Sequence, residues 1–347
     1  MTRILHAIAG AQHGGAERFF ERLVPALSRA GCDQRALIRN HPDRLALMTR
    51  EGVSTFGLGF GGRLDVLTPW QFRRHVRDFR PQIVFTWMSR ASKMAPSPAD
   101  CGVPFLRVAR LGGYYDLKYY QGFDYLIGDT ESIVHYLIEQ GWPEDRCVYL
   151  PNFVSAQRGT PIPRRVFSIP EGAPILLGLG RLHTNKAFDV LIRAVAKLHD
   201  VYLLLAGEGP ERAALEDLAT SLGVKPRVRF LGWRDDVPDL FATADLFVHP
   251  ARHEPLGNVI LEAWAQGKTV ISTAADGPAL LIEQGVSGLL VPIDQPEPLS
   301  QAIRAALSDA SGAQALAEAG YARYLEGYTE SAVVGRYQDY FRKIIKD

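Results

Sequence analysis

Cysteine is scarce in this chain of 347 residues: Cys32, Cys101 and Cys147 are odd in number and far apart. Such thiols build neither a disulfide framework nor a cysteine-spaced metal site. No apolar run approaches the ~20 residues that span a bilayer. The stretch from Met1 to Gly10 is too briefly apolar for a signal sequence and reads as a strand entering a glycine loop. D-x-D triplets, internal repeats and low-complexity tracts are missing too. The net charge is only +1, and no nucleic-acid partner is expected. These absences leave a cytoplasmic protein as the economical reading.

The small net charge hides an imbalance. Up to Arg165 there are 22 Lys and Arg against 15 Asp and Glu, and the remainder holds 17 against 23. A basic first half suits an anionic acceptor or a peripheral contact with the negatively charged inner membrane face, although such asymmetry also arises without function. The helix expected over 69–80 leaves the same choice open. Phe72, Val76 and Phe79 share one face, with Arg73, Arg74, Arg77 and Arg80 elsewhere. That spacing suits a helix covering a sheet better than a membrane patch.

What is present is a composition for folding: 47% hydrophobic and 22% charged residues, over a length suited to two domains. Strand-like runs at 3–9, 33–39, 83–87, 105–109 and 124–128 alternate with helical segments such as 16–30. A Pro-, Gly- and Arg-rich stretch from Asn152 to Gly172 reads as a linker. A second series follows, with strands at 173–180, 201–206, 228–231, 246–249, 270–272 and 288–291. Alternation of this kind predicts an α/β protein of two doubly wound parallel-sheet domains facing across a cleft. The domains are expected over 1–165 and 166–328.

Chemistry concentrates in the second half. Arg252-His253-Glu254-Pro255-Leu256-Gly257-Asn258 leads into Val259-Ile260-Leu261-Glu262-Ala263-Trp264. Pro255 and Gly257 suit a turn or a first helical turn, and the following apolar spacing is helical. Glu254 therefore precedes a helix N-terminus, while Glu262 lies about two turns along it. Backbone N–H groups of Leu256, Gly257 and Asn258 would be unpaired at the positive end of the helix dipole, which is a site for phosphate. Glu254 could equally cap that helix. Upstream, the buried strand ending at Gly180 is followed by Arg181-Leu182-His183-Thr184-Asn185-Lys186 and then a helix. Two cations on a loop at a strand's carboxyl end can clamp a diphosphate and neutralise it as it departs.

These two motifs, Gly180-Arg181…Lys186-Ala187-Phe188-Asp189 and Glu254-Pro255-Leu256-Gly257…Glu262, together resemble the signature of the retaining family-4 glycosyltransferases of the GT-B fold. The resemblance implies two Rossmann-like domains, with the last helix, 329–347, crossing back to the first. It implies a donor that is a nucleotide-diphosphate sugar, UDP- or GDP-linked, with no further cofactor and no metal. Arg181 and Lys186 would bind the diphosphate, Glu254 would face the sugar, and Glu262 would hold the ribose. The acceptor would be a hydroxyl of a glycan or glycolipid, in lipopolysaccharide or other cell-surface polysaccharide synthesis. A nucleotide-sugar 2-epimerase and a non-catalytic sugar-nucleotide-binding protein are the alternatives.

Further positions follow from the same resemblance. Gly14 and Gly15 would border donor phosphate and acceptor, or would form only a tight turn between strand and helix. Trp233 lies in the segment beside the nucleobase, where it stacks on a base or merely packs. Trp87 and Arg90 follow a strand that borders the acceptor pocket, with Tyr114 nearby. Gly112 stands where many family members carry a histidine or an acid, so another group such as Arg110 or His13 takes over, or no histidine is required. Gly57, Gly59 and Gly62 spell a G-x-G-x-x-G without the strand–helix context of a dinucleotide site, and read as a loop.

Overall fold

The computed structural model describes residues 1–12, 14–62 and 65–346. They form two compact units, residues 1–153 with 330–346, and Val154–Thr329.

The first unit holds β1 (Arg3–Ile8), β2 (Asp33–Arg39), β3 (Ser54–Leu58), β4 (Ile83–Trp87), β5 (Leu106–Leu111), β6 (Tyr125–Gly128) and β7 (Cys147–Tyr149). They pair in parallel in the order β3-β2-β1-β4-β5-β6-β7. The second holds β8 (Ile175–Leu179), β9 (Tyr202–Ala206), β10 (Val228–Gly232), β11 (Leu246–His249), β12 (Thr269–Thr273) and β13 (Leu289–Val291), again parallel, in the order β10-β9-β8-β11-β12-β13. Parallel strands need crossover helices on both faces, so central strands such as β4 (Ile-Val-Phe-Thr-Trp) are buried throughout and read as continuous apolar runs.

In each sheet the strand order reverses once, at β1/β4 and at β8/β11. Loops at the carboxyl ends of such neighbours diverge and leave a crevice where ligands bind. In the second unit the loops carrying the basic and acidic motifs leave from those two neighbouring strands, β8 and β11.

Two strands went unanticipated. β3 and β7 are the edges of the first sheet, and neither is an uninterrupted buried run. A half-exposed edge carries little apolar signal to read. The units also divide after Phe153 rather than near 165. Val154, Phe167 and Ile169 are buried in the core of the second unit, so most of the Pro-rich stretch belongs to that unit.

The chain's last helix, Glu330–Lys346, belongs to the first unit. Val333, Val334, Tyr337, Phe341 and Ile344 recur at helical spacing and join the core formed by Ile4, Phe19, Phe20 and Phe85. Each such side chain contributes roughly 1.5–3 kcal/mol by leaving water. No helix among the described residues is long and apolar enough to cross a membrane.

Candidate active site

β8 delivers its chain into the loop 180–187, and β11 into the loop 250–257, side by side at the switch point. Backbone bonds stitch the loops together: Arg252 N and His253 N both donate to Asn185 O, at 2.8 and 3.2 Å. The Arg252 guanidinium adds a two-pronged pair with Asp189, at 2.9 and 2.7 Å, and an ion pair with Asp294 at 2.5 Å. Planar guanidinium–carboxylate forks fix direction as well as distance. Arg252 therefore holds the two loops in register, a role its sequence context did not reveal.

Within this frame Lys186 Nζ forms an ion pair with Glu254 Oε2. Their side chains are 24% and 12% exposed, so the pair is sheltered from water. His249, the last residue of β11 and fully buried, brings Nε2 to 3.3 Å from the same oxygen without hydrogen-bond geometry. The other carboxylate oxygen, Oε1, accepts the Gly257 N–H at 3.3 Å. Burial alone would push the Glu254 carboxyl upward, but the adjacent His249 and the Lys186 ammonium outweigh it and hold it far below the usual carboxylate range. The carboxylate form of Glu254 is thus the favoured one. His249 escaped the sequence reading because a histidine ending an apolar strand is more often core than ligand.

Glu254 reaches the residue before the following helix, Asn258–Ala265, but makes no hydrogen bond to the N–H groups of its first turn. The expectation that Leu256, Gly257 and Asn258 would all present unpaired N–H groups is corrected at Gly257, whose N–H goes to Glu254. Gly257 sits in the left-handed region (φ 80°), where a side chain would be strained, and starts the helix from there. Glu262 lies on the second turn of that helix and is partly exposed. Gly180 follows β8, and Arg181 is exposed on the same loop, with no ion-pair partner among the described residues. Glycine also permits close approach here, since a Cβ on Gly207 would fall 1.9 Å from Gly180 O. Trp233 follows β10, is 52% exposed, and donates Nε1–H to Asp235 at 3.0 Å.

The first unit treats its candidates differently. Gly14 precedes the helix Gly15–Arg29, and the Glu17 side chain folds back beneath it, accepting the Ala11 N–H at 2.7 Å. A Cβ on Gly14 would lie 2.2 Å from Glu17 Oε2, so this glycine makes room for the chain's own carboxylate. His13 lies outside the described residues. Trp87 is 1% exposed and packs on Phe20 and Phe85, which removes it from any pocket wall. Arg110 is corrected likewise. It is buried, donates to Tyr337 Oη at 3.1 Å, pairs with Asp129 at 3.3 Å, and bonds Asn152. A guanidinium so committed holds the last helix to the sheet and does not replace a missing histidine at Gly112. Arg90 is exposed and lines a cavity, and Tyr114 is half-exposed with its ring edge-on to Tyr136.

Two doubly wound parallel sheets, with a cation–carboxylate cluster on the switch-point loops of the second, are what the resemblance to the GT-B glycosyltransferases implies. Family comparison agrees. Residues 161–323 match the model for glycosyl transferases group 1, and 14–152 match the glycosyl transferase 4-like domain. The chain is 37% identical to the lipopolysaccharide core biosynthesis glycosyltransferase LpsE of Rhizobium meliloti (strain 1021), over 93% of this chain and 94% of that one. LpsD of the same organism is 35% identical over 98% of both. Among solved structures, Anabaena Alr3699/HepE in complex with UDP superimposes with a TM-score of 0.88 at 19% identity, covering 99% and 100% of the two chains. The protein belongs to the group 1 glycosyl transferases of the family-4 type.

Proposed function

We propose that this transferase moves a sugar from a nucleotide-diphosphate donor to a hydroxyl of a glycan or glycolipid acceptor, with retention, in lipopolysaccharide core or related cell-surface polysaccharide synthesis. The observation carrying this is the cluster of Lys186, Glu254 and His249 at the switch point, with Arg181 exposed on the same loop as Lys186. LpsE and LpsD, both named for lipopolysaccharide core biosynthesis, support the setting. HepE binding UDP and UDP-glucose supports the donor class. The transferase names of these relatives disfavour the epimerase alternative.

In this scheme the donor diphosphate lies against Arg181, Lys186 and the helix N-terminus near Leu256 and Asn258. Glu254 faces the sugar, Glu262 the ribose and Trp233 the base. The C1–O bond to the diphosphate breaks as a C1–O bond to the acceptor oxygen forms on the same face. The acceptor proton passes to the departing phosphate oxygen. Charge developing on that phosphate is met by two side-chain cations, which is the task a metal performs in other transferases, so no metal is required. Product analysis with UDP- and GDP-sugars, in excess chelator, tests the scheme. Transfer with inverted anomeric configuration, or transfer lost in chelator and restored by magnesium, would refute it.

A membrane contact is supported by a specific observation. Val66, Leu67 and Trp70 are 75%, 67% and 57% exposed at the start of the helix Leu67–Phe79, whose Phe72, Val76 and Phe79 are buried. Arg74 and Arg77 are exposed on the same helix. Exposed Trp beside arginine suits the headgroup zone of an anionic bilayer. Cosedimentation with phosphatidylglycerol vesicles but not phosphatidylcholine vesicles, weakened by Trp70→Ser, is the expected result; equal partitioning of the variant and wild type sinks the idea.

A further inference from the structure

A cavity of about 710 Å³ opens at the carboxyl edge of the first sheet, and none of the residues named for the donor site lines it. Arg39 ends β2, Phe60 follows β3, Arg73 stands on the helix Leu67–Phe79, and Arg90, Lys93 and Met94 follow β4. That volume is typical of ligand pockets, and this edge is where open parallel sheets bind ligands.

The charge of the lining is not balanced from within. Four cations face two carboxylates, Asp65 and Asp100. Both carboxylates are already engaged in local turns. Asp65 accepts from Gly61 N at 2.6 Å, Thr68 N at 2.9 Å and Thr68 Oγ1 at 2.7 Å. Asp100 accepts from Ser97 N at 2.9 Å and Ser97 Oγ at 2.8 Å, closing a helix cap. Neither forms an ion pair with the pocket cations. Lys93 instead lies over the Tyr119 ring at 3.7 Å. Arg39, Arg73 and Arg90 have no ion-pair partner among the described residues, and Arg73 Nε is buried without any hydrogen-bond acceptor. A buried guanidinium N–H left without an acceptor costs about 1–3 kcal/mol. Three planar forks around one cavity, one of them with a buried Nε–H that has no acceptor, are arranged for a multiply charged oxyanion.

We infer that this cavity binds a phosphate group carried by the acceptor, so that the transferase takes a phosphorylated glycan rather than a neutral one. The inference deepens the transfer reading and rests on it, with the first unit holding the acceptor. The phosphate would place the acceptor through Arg39, Arg73 and Arg90, leaving its hydroxyl free for attack.

Calorimetric titration of the full-length protein tests it, with glucose 6-phosphate, inorganic phosphate and glucose as probes. Binding of glucose 6-phosphate, absent for glucose, is expected to weaken at least tenfold in Arg39→Gln/Arg73→Gln and to fall with salt. Lys186→Ala, in the second unit, should leave it in place. Binding of inorganic phosphate alone would show an adventitious ion only and overturn the inference, as would no binding up to on the order of 10 mM. Undiminished binding in the double variant, or loss in Lys186→Ala instead, overturns it as well. Single Arg39→Gln and Arg73→Gln variants provide the readout should the double variant misfold. Nucleotide-sugar hydrolysis without acceptor, measured in parallel, separates the two ideas. Hydrolysis without phosphate binding removes this pocket and spares the transfer reading, whereas phosphate binding without turnover of any nucleotide sugar removes the latter.

Discussion

Glu254→Gln is the substitution that interrogates the proposed site most directly. Gln keeps the shape and can still accept the Gly257 N–H, but it removes the counterion of Lys186. Exposed ion pairs contribute about 0–1 kcal/mol, while breaking a fully buried one costs about 3–5 kcal/mol. With side-chain exposures of 24% and 12%, the Lys186–Glu254 pair lies between those limits, and about 2 kcal/mol is expected. In a domain of this size that lowers Tm by roughly 4–8 °C. The same change leaves Lys186 uncompensated, so a nucleoside diphosphate should protect the variant more than the wild type, its phosphate replacing the lost carboxylate. Turnover should nevertheless fall by about 10²-fold, as when one preorganised electrostatic group is removed. Differential scanning fluorimetry with UDP and GDP in turn, beside a sugar-transfer assay, reads both effects. A variant that melts like wild type, gains no extra protection from nucleotide and turns over normally would refute the reasoning. Lys186→Met supplies the opposite sign, with nucleotide protection reduced.

Two further outcomes concern the first unit. His6 is fully buried, bonded through Nε2 to Gln34 at 2.7 Å, and burial depresses its pKa to about 4 despite that bond. The unfolded chain gains this proton near pH 6.5 and the folded chain only near 4, so stability falls as pH drops through that window. Urea unfolding should show a loss of about 2 kcal/mol between pH 8 and pH 5 from this group, absent in His6→Asn; equal pH profiles for the two proteins would disprove the assignment. Arg110→Met strands the buried Asp129 carboxylate and breaks the bond to Tyr337, costing about 3–5 kcal/mol. Hydrogen exchange should then accelerate in the helix Glu330–Lys346 before the rest of the unit, and unchanged protection there would contradict the anchoring role.

Strand–helix alternation, and the loops on which chemistry sits, can be read from local pattern alone. Period and apolar run length are local properties, so the central strands and the amphipathic helices were legible. The strands β3 and β7 were not, because β3 is largely exposed and β7 is only three half-buried residues long. Arg181, Lys186, Glu254 and Glu262 could be singled out as charged residues on strand-end loops and the adjoining helix. Only tertiary structure decided which of them touch. Lys186 and Glu254 are 68 residues apart in sequence, and they meet because β8 and β11 are neighbours where the strand order reverses. Arg110 shows the converse: its strand-end position marked it as a ligand group, yet Tyr337, 227 residues away, and Asp129 claim it for the core. A charge written in sequence has no stated partner, and its energy depends on which chain segments the fold brings within a few ångströms.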